Sequence, residues 1–372
     1  MPRNCMDMVD TSQNALPKIP NQVCGWRFRM ESSHVKPFVE GGLRLRGTYK
    51  RSESNAPLVT IITVVYNRVC KLERAIKSVL MQTYRNIEYI VIDGASTDGT
   101  LEVIKNYEHI IDYYVSEPDQ GVYNAMNKGL SLAAGDYICI LNSDDWLIDD
   151  AIKYSVRELL ASNADYSGAD EYCVDEQGNL VFLYGLRHFD EVALVMGNPC
   201  NHGTMLISSN AYEKIGYYDE TYKIAADLKM QLALITDNRM KHCIINKPIH
   251  YYELAGLSDI HKDMMLKEVA QVLREYHPSI NKTELCSLVS LVFDWQFNEQ
   301  IISDIENILR KPYYTQKQKY YLLNRLVECG YTIKDQEFKH LVGKTFSYHH
   351  LGTRFYTFIK KIIYYVCYKF DR

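Results

Sequence analysis

The hydrophobic pattern changes character at residue 58. Before it, Pro, Asn, Ser and Gly recur without a sustained period, and residues 1–57 read as a weakly structured lead-in. LVTIITVVY (58–66) is β-branched and almost wholly apolar, the pattern of a strand buried on both faces. Residues 70–81 then place Leu72, Ala75, Ile76, Val79 and Leu80 at helical spacing. IEYIVID (87–93) predicts a second buried strand, closed by the turn GASTDGT. A helix over 100–107, a strand over 110–117, a helix over 121–134 and a strand over 136–142 follow. This alternation predicts an α/β fold built on a parallel sheet with right-handed crossovers. Residues 146–250 mix short strand-like pieces (NLVFLYG, TMLIS, CIINKPIHY) with helical stretches. From about 262 the pattern is helical to the end, punctuated by Pro278 and Pro312.

In such sheets the ligand site lies beyond the carboxyl ends of the strands. Each expected strand has polar residues at that end: Tyr66-Asn67, Asp93-Gly94, Glu117-Pro118-Asp119 and Asn142-Ser143-Asp144-Asp145. Ordinary turn chemistry accounts for one or two such tips. Four on one rim mark a site. The first strand runs into NRVCKLERA, which is neither a G-x-G-x-x-G dinucleotide turn nor a phosphate-binding P-loop. Glycine amides therefore do not cradle a phosphate here, and a metal is the alternative. LNSDD ends a buried strand with two adjacent carboxylates. Mn²⁺ and Mg²⁺ are held by one or two carboxylates, with substrate phosphates completing the shell. The competing reading has Asp144-Asp145 cap a helix beginning near Asp149. Beside Asp93 and Glu117 on the same rim, the metal reading is preferred.

Composition adds exclusions. The 372 residues are 47% hydrophobic and 24% charged, as in an ordinary globular protein. No window approaches the apolar run that a spanning helix needs. A net charge of −4 argues against a nucleic-acid binder. That total is uneven: 1–57 carries +4, 344–372 carries +5, and 58–343 carries −13. Ten cysteines occur without a C-x-x-C pair, and MPRNCMDMVD lacks the apolar stretch of a signal peptide. Reduced thiols in a cytoplasmic protein are expected. Read as a helix, 351–370 sets Phe355, Phe358, Ile359, Ile362, Val366 and Phe370 on one side, with Arg354, Lys360, Lys361 and Lys369 largely elsewhere. This basic tail is either an attachment to an anionic membrane surface or a helix docked on the domain with solvated lysines.

ITVVYN, IDGASTDGT, EPDQGVYNAMNKGLSLAAGDYICILNSDD, NHGTMLIS and AADLKMQL occur in the order seen in glycosyltransferase family 2. The chain resembles most its branch that builds bacterial surface polysaccharides, over roughly 40–260. The resemblance implies a GT-A fold over 58–260, with nucleotide-sugar binding in 58–145 and the acceptor side in 146–260. A helical C-terminal region (261–343) and the tail (344–372) would follow. It also implies Mn²⁺- or Mg²⁺-assisted, inverting transfer from a nucleotide-sugar, UDP by default, to a glycan or lipid-linked glycan. The enzyme would then work in the cytoplasm or at the inner face of the membrane. Transfer to polyprenyl phosphate and a catalytically inactive binding scaffold are the alternatives.

Position by position, Asp93 resembles the carboxylate that hydrogen-bonds the nucleobase, with Tyr66 and Asn67 flanking base and ribose. Asp144 would lie near the ribose and Asp145 on the cation, with Glu117 on the same donor rim. Asn127 and Lys128 sit where relatives have A-R-N-x-G, and Met126 replaces the arginine. Lys128 is then a substitute phosphate contact or a solvated helix residue. Asp227 matches the general base at the start of a helix, where a helix cap is the plainer role. His202 corresponds to a histidine near the donor sugar or acceptor, or is a satisfied core residue. Gly256-Leu257-Ser258 resembles a segment that closes over the site.

Overall fold

The computed structural model describes residues 39–185, 189–196, 199–254, 256, 261–277, 279–293, 298–329 and 331. The tail expected over 344–372, most of the closing segment at 257–258, and residues 1–38 lie outside them.

Four parallel strands carry the fold: β2 (Val59–Val65), β3 (Ile87–Asp93), β4 (Tyr113–Ser116) and β5 (Tyr137–Asn142). Their spatial order is β4-β3-β2-β5, and every residue of β2, β3 and β4 is buried. Between them run α1 (Val69–Leu80), α2 (Thr100–Asn106) and α3 (Val122–Leu132), close to the helices that the periodicity predicts. The sheet continues past β5 with strands of both directions: β6 (Trp146–Leu147), β7 (Tyr166–Val174), β8 (Leu180–Tyr184), β9 (Leu206–Ser208) and β10 (His242–Glu253). β9 bridges β5 and β7, both antiparallel, so the expected donor and acceptor halves share one sheet.

Alternation along β2 divides two cores. Val59, Ile61 and Val65 pack with α1 and α4 (Ala151–Ser162), while Ile62 and Val64 pack with α3. Gly129 lets α3 lie close, since a Cβ there would stand 2.4 Å from Ile62 Cγ2. The core on the α3 side runs without interruption into the helices that follow α4. These are α5 (Ala193–Met196), α6 (Ser209–Ile215), α7 (Ala226–Thr236), α8 (Lys262–Tyr276), α9 (Lys282–Phe293), α10 (Glu299–Arg310) and α11 (Gln316–Glu328). The helical region shares the sheet's hydrophobic core rather than having one of its own. Among the described residues no helix is long and apolar enough to cross a membrane.

The lead-in expectation holds less far than residue 57. β1 (Val39–Gly41) pairs antiparallel with β4 and adds an edge strand. Arg44, in the 3-10 turn that follows, ion-pairs with Glu88 of β3 and donates to the Leu132 carbonyl at 2.7 Å. The other Glu88 oxygen accepts from the Thr60 hydroxyl at 2.6 Å and the Ala134 amide at 2.8 Å. Lys50 reaches Asp112 at 2.8 Å. The sequence signal was weak because β1 is three residues long and these anchors are charges, not a hydrophobic period. Glu88 is 1% exposed, so Glu88→Ala strands a mostly buried guanidinium. It should cost about 3–5 kcal/mol in urea unfolding.

Candidate active site

A cavity of about 750 Å³ opens at the carboxyl ends of β2 and β5. It is bounded by the amino-terminal ends of α3 and α7, by β8, and by Met265 and Val269 of α8. A smaller hollow of about 410 Å³, around Tyr84 and Asn86, lies at the amino end of β3, away from this edge.

Tyr66 stands over the cavity, 61% exposed. Asn67 does not line it. With φ at +50°, Asn67 accepts from the Thr97 amide at 2.9 Å and donates its own amide to Ser96 Oγ at 2.8 Å. It therefore staples the β2 tip to the turn after β3. Asp93 is fully buried, and its carboxylate is filled by the Ser96 amide at 3.1 Å and by the Ser96 and Ser116 hydroxyls. The carboxylate that does line the cavity on this side is Asp119. Its Oδ1 accepts from the Gly121 amide at 2.9 Å, and its Oδ2 lies over Gly94, 2.5 Å from where a Cβ would stand. Burial raises the Asp119 pKa, opposed by the Gly121 amide and Lys128.

Glu117 and Lys128 pair with each other at 2.8 Å, both buried, and Lys128 also donates to the Pro118 carbonyl at 3.0 Å. Neither lines the cavity. This pair holds the Pro118-Asp119 segment against α3, which is a different role from either one expected of Lys128. Asn127 likewise faces away, exchanging hydrogen bonds with the Tyr218 backbone at 2.9 and 3.0 Å and donating to Glu220 at 2.8 Å. Arg68 and Lys223 bring positive charge to the cavity instead. Both were missed in the sequence, because an isolated Arg after a strand and an isolated Lys before a helix carry no spacing signal.

At the tip of β5 the two aspartates part company. Asp144 lines the cavity, with its pKa raised by burial and lowered by Arg68. Asp145 is 1% exposed and turns inward. It accepts from the Glu253 amide at 3.1 Å and faces His250 Nε2 at 3.6 Å. Glu171 orients that imidazole through Nδ1 at 3.1 Å. Burial pushes the Asp145 carboxyl up to about 7, with His250 opposing the shift and Asp144 adding to it. The helix-cap alternative fails, because α4 starts at Ala151 with Asp150 as its N-cap.

Among the described residues no three His, Cys, Asp or Glu side chains form a ready-made metal shell. The chemistry of the donors nevertheless fits a hard divalent cation. Asp144 faces the cavity, Asp145 stands behind it, and His250 Nε2 is buried with no hydrogen-bond partner among the described residues. Such a site would hold a cation by one or two carboxylates and leave the remaining positions to a diphosphate.

Asp227 lies in the first turn of α7 and lines the same cavity as Asp144. Its Oδ1 accepts from the Tyr123 hydroxyl at 2.9 Å, which also reaches the Ile224 carbonyl. Tyr123 stacks on Tyr218 with ring centroids 5.8 Å apart, and Tyr218 bonds the Tyr212 hydroxyl at 2.9 Å and His202 Nε2. His202 is thus both a satisfied buried histidine and part of the cavity wall. Burial pushes all three tyrosine pKa values up and the His202 pKa down. Of the residues expected at the site, the structure brings Tyr66, Asp144, His202 and Asp227 onto one cavity, with Asp145 directly behind. Asn67, Asp93, Glu117, Asn127 and Lys128 support its walls.

The site thus sets carboxylates at the ends of a parallel sheet and at the start of α7 over one open cleft, with the sheet continued by strands of both directions. Residues 60–190 match the Glycosyl transferase family 2 profile. An uncharacterized glycosyltransferase of Mycobacterium tuberculosis is 32% identical over 196 residues, 52% of this chain and 75% of that protein. Chondroitin synthase of Escherichia coli is 29% identical over 250 residues, 61% of this chain and 35% of that one. The solved mannosyltransferase of Pyrobaculum calidifontis, in complex with GDP-Man and Mn²⁺, aligns over 92% of each chain at 15% identity with a TM-score of 0.49. The chain belongs to glycosyltransferase family 2.

A methyl group at residue 94 would displace the Asp119 carboxylate. Gly94→Ala should weaken nucleotide-sugar binding about tenfold, the scale of one lost charge-assisted hydrogen bond. Titration calorimetry with a nucleotide-sugar measures this, and an unchanged urea midpoint assigns the loss to the cavity.

Proposed function

We propose that the protein transfers a sugar from a nucleoside-diphosphate donor, UDP by default, to a hydroxyl of a glycan or lipid-linked glycan, with inversion at the anomeric carbon. The observation that carries this reading is the pair Asp144 and Asp227 on one cavity, the latter held at one oxygen by Tyr123. Tyr66 and Asp119 receive the base and ribose, and Arg68 attracts the diphosphate. Asp144, backed by Asp145, would hold Mn²⁺ or Mg²⁺. When bound, the cation neutralises charge building on the leaving diphosphate. Asp227 accepts the proton of the acceptor hydroxyl through Oδ2 as the new bond forms on the face opposite the departing nucleotide. Lys223 and the apolar wall of Phe182, Tyr252 and Met265 border the acceptor end.

A panel of UDP-, GDP- and dTDP-sugars with Mn²⁺ tests the donor assignment, with release of the nucleoside diphosphate as the readout. Release from none of them would overturn the reading in favour of an inactive binding scaffold. Asp227→Asn should lower kcat about 10²–10⁴-fold, the usual contribution of a general base, with UDP affinity preserved.

The basic tail, net +5 over 344–372, is the proposed attachment to an anionic membrane at the cytoplasmic face, where lipid-linked acceptors would be presented. Removing 344–372 should release the protein from phosphatidylglycerol vesicles in a flotation assay while leaving diphosphate release intact. Undiminished flotation would refute the attachment.

A further inference from the structure

A general base must be held to within a fraction of an ångström of its working position. The helix that carries Asp227 begins without a side-chain cap of its own, because its N-cap residue is Ala225. The amides that lead into it are met from another part of the chain. Glu268, on α8, accepts from three successive backbone N–H groups: Lys223 at 2.8 Å through Oε1, and Ile224 at 2.8 Å and Ala225 at 3.0 Å through Oε2. Successive amides that converge on a carboxylate form an anion nest, and negative charge is favoured at a helix amino terminus. The Tyr123 hydroxyl holds the same peptide from the other side through the Ile224 carbonyl. Ile224 is therefore gripped at both its N–H and its C=O, three residues before Asp227.

The grip is rigidly mounted. Val272 and Leu273 of α8 are essentially fully buried in the core shared with α9, α10 and α11. Two turns beyond Glu268, Glu275 bonds the Tyr222 hydroxyl at 3.0 Å and Lys229 at 2.9 Å, on either side of the 223–227 segment. Met265 and Val269, flanking Glu268 on α8, reach the cavity itself.

We propose that Glu268 is a positioning residue for Asp227. A carboxylate from the C-terminal helical region, beyond the part of the chain that matches the family profile, sets the start of the base's helix and so completes the catalytic apparatus. The proposal rests on the reading of Asp227 as the general base. Neutralising Glu268 as an amide places an N–H₂ against one of three N–H donors, which loosens the nest while leaving the cavity lining in place.

The test uses the full chain and the nucleotide-sugar that gives the fastest diphosphate release in the panel. Glu268→Gln should lower kcat about 10–100-fold, the cost of a misplacement near 1 Å, while donor KM and the Kd for UDP stay within about twofold. Hydrogen exchange at the amides of 223–225 should accelerate. In an Asp227→Asn background, Glu268→Gln should add no further loss, since it acts through that carboxylate. Should Glu268→Gln fail to fold, Glu268→Asp retains the charge, retracts it by one methylene and carries the same expectations. Unchanged exchange, unchanged kcat, or a loss that adds in full to that of Asp227→Asn would overturn the positioning role alone. Full turnover by Asp227→Asn with a slow Glu268→Gln would instead remove the base assignment and, with it, the proposal.

Discussion

Everything at the site follows from burying β2, β3 and β4 on both faces. Strands covered on both sides carry charge along their length only where it is paired, as Glu88 is with Arg44, so the other carboxylates collect at their ends. Where such groups are taken out of water they must be paired, or their charged forms become unfavourable. The carboxyl edge obeys this constraint residue by residue. Asp93 is sealed by serine donors, Glu117 by Lys128, and Asp145 by the Glu253 amide beside an imidazole. Among the described residues the carboxylates that line the cavity are Asp119, Asp144, Asp227 and Glu171, the last of them engaged by His250.

The same logic separates walls from working surface. Asn127 and Asn67 resemble ligand contacts in a linear motif, yet both use their side-chain amides on backbone groups of neighbouring segments. A motif residue can recur because the cleft needs its shape, not because the substrate needs its atoms. The tyrosines behind Asp227 act similarly. They form a buried hydrogen-bonded cluster in which every hydroxyl has a partner, and Asp227 is held at its edge.

The C-terminal helices belong to this account. Their apolar faces continue the α3-side core, and α8 sends Glu268 to the start of α7 and two apolar side chains to the cavity. A region that periodicity marks as merely helical is thus part of the enclosure. Nothing in its sequence announces that, because one glutamate on an amphipathic helix is indistinguishable from a solvated one until its partner loop is known.

The sequence by itself determined the strands and helices from 58 to 142 and the family of the chain. Burial on both faces writes a continuous apolar run, and the strand-end polar clusters stand out against it. It also determined that Asp144 and Asp227 exist as candidates, since their motifs are contiguous. Only the tertiary structure decided which candidate faces the cleft. Asp144 and Asp145 are adjacent, and the turn between β5 and β6 sends one outward and its neighbour inward. Asp119 displaces Asp93 as the open carboxylate because Gly94 makes room for it. Edge strand β1 and the Arg44–Glu88 pair were invisible for the same reason as Glu268. Contacts between charges far apart in sequence leave no period, and only the folded core brings them together.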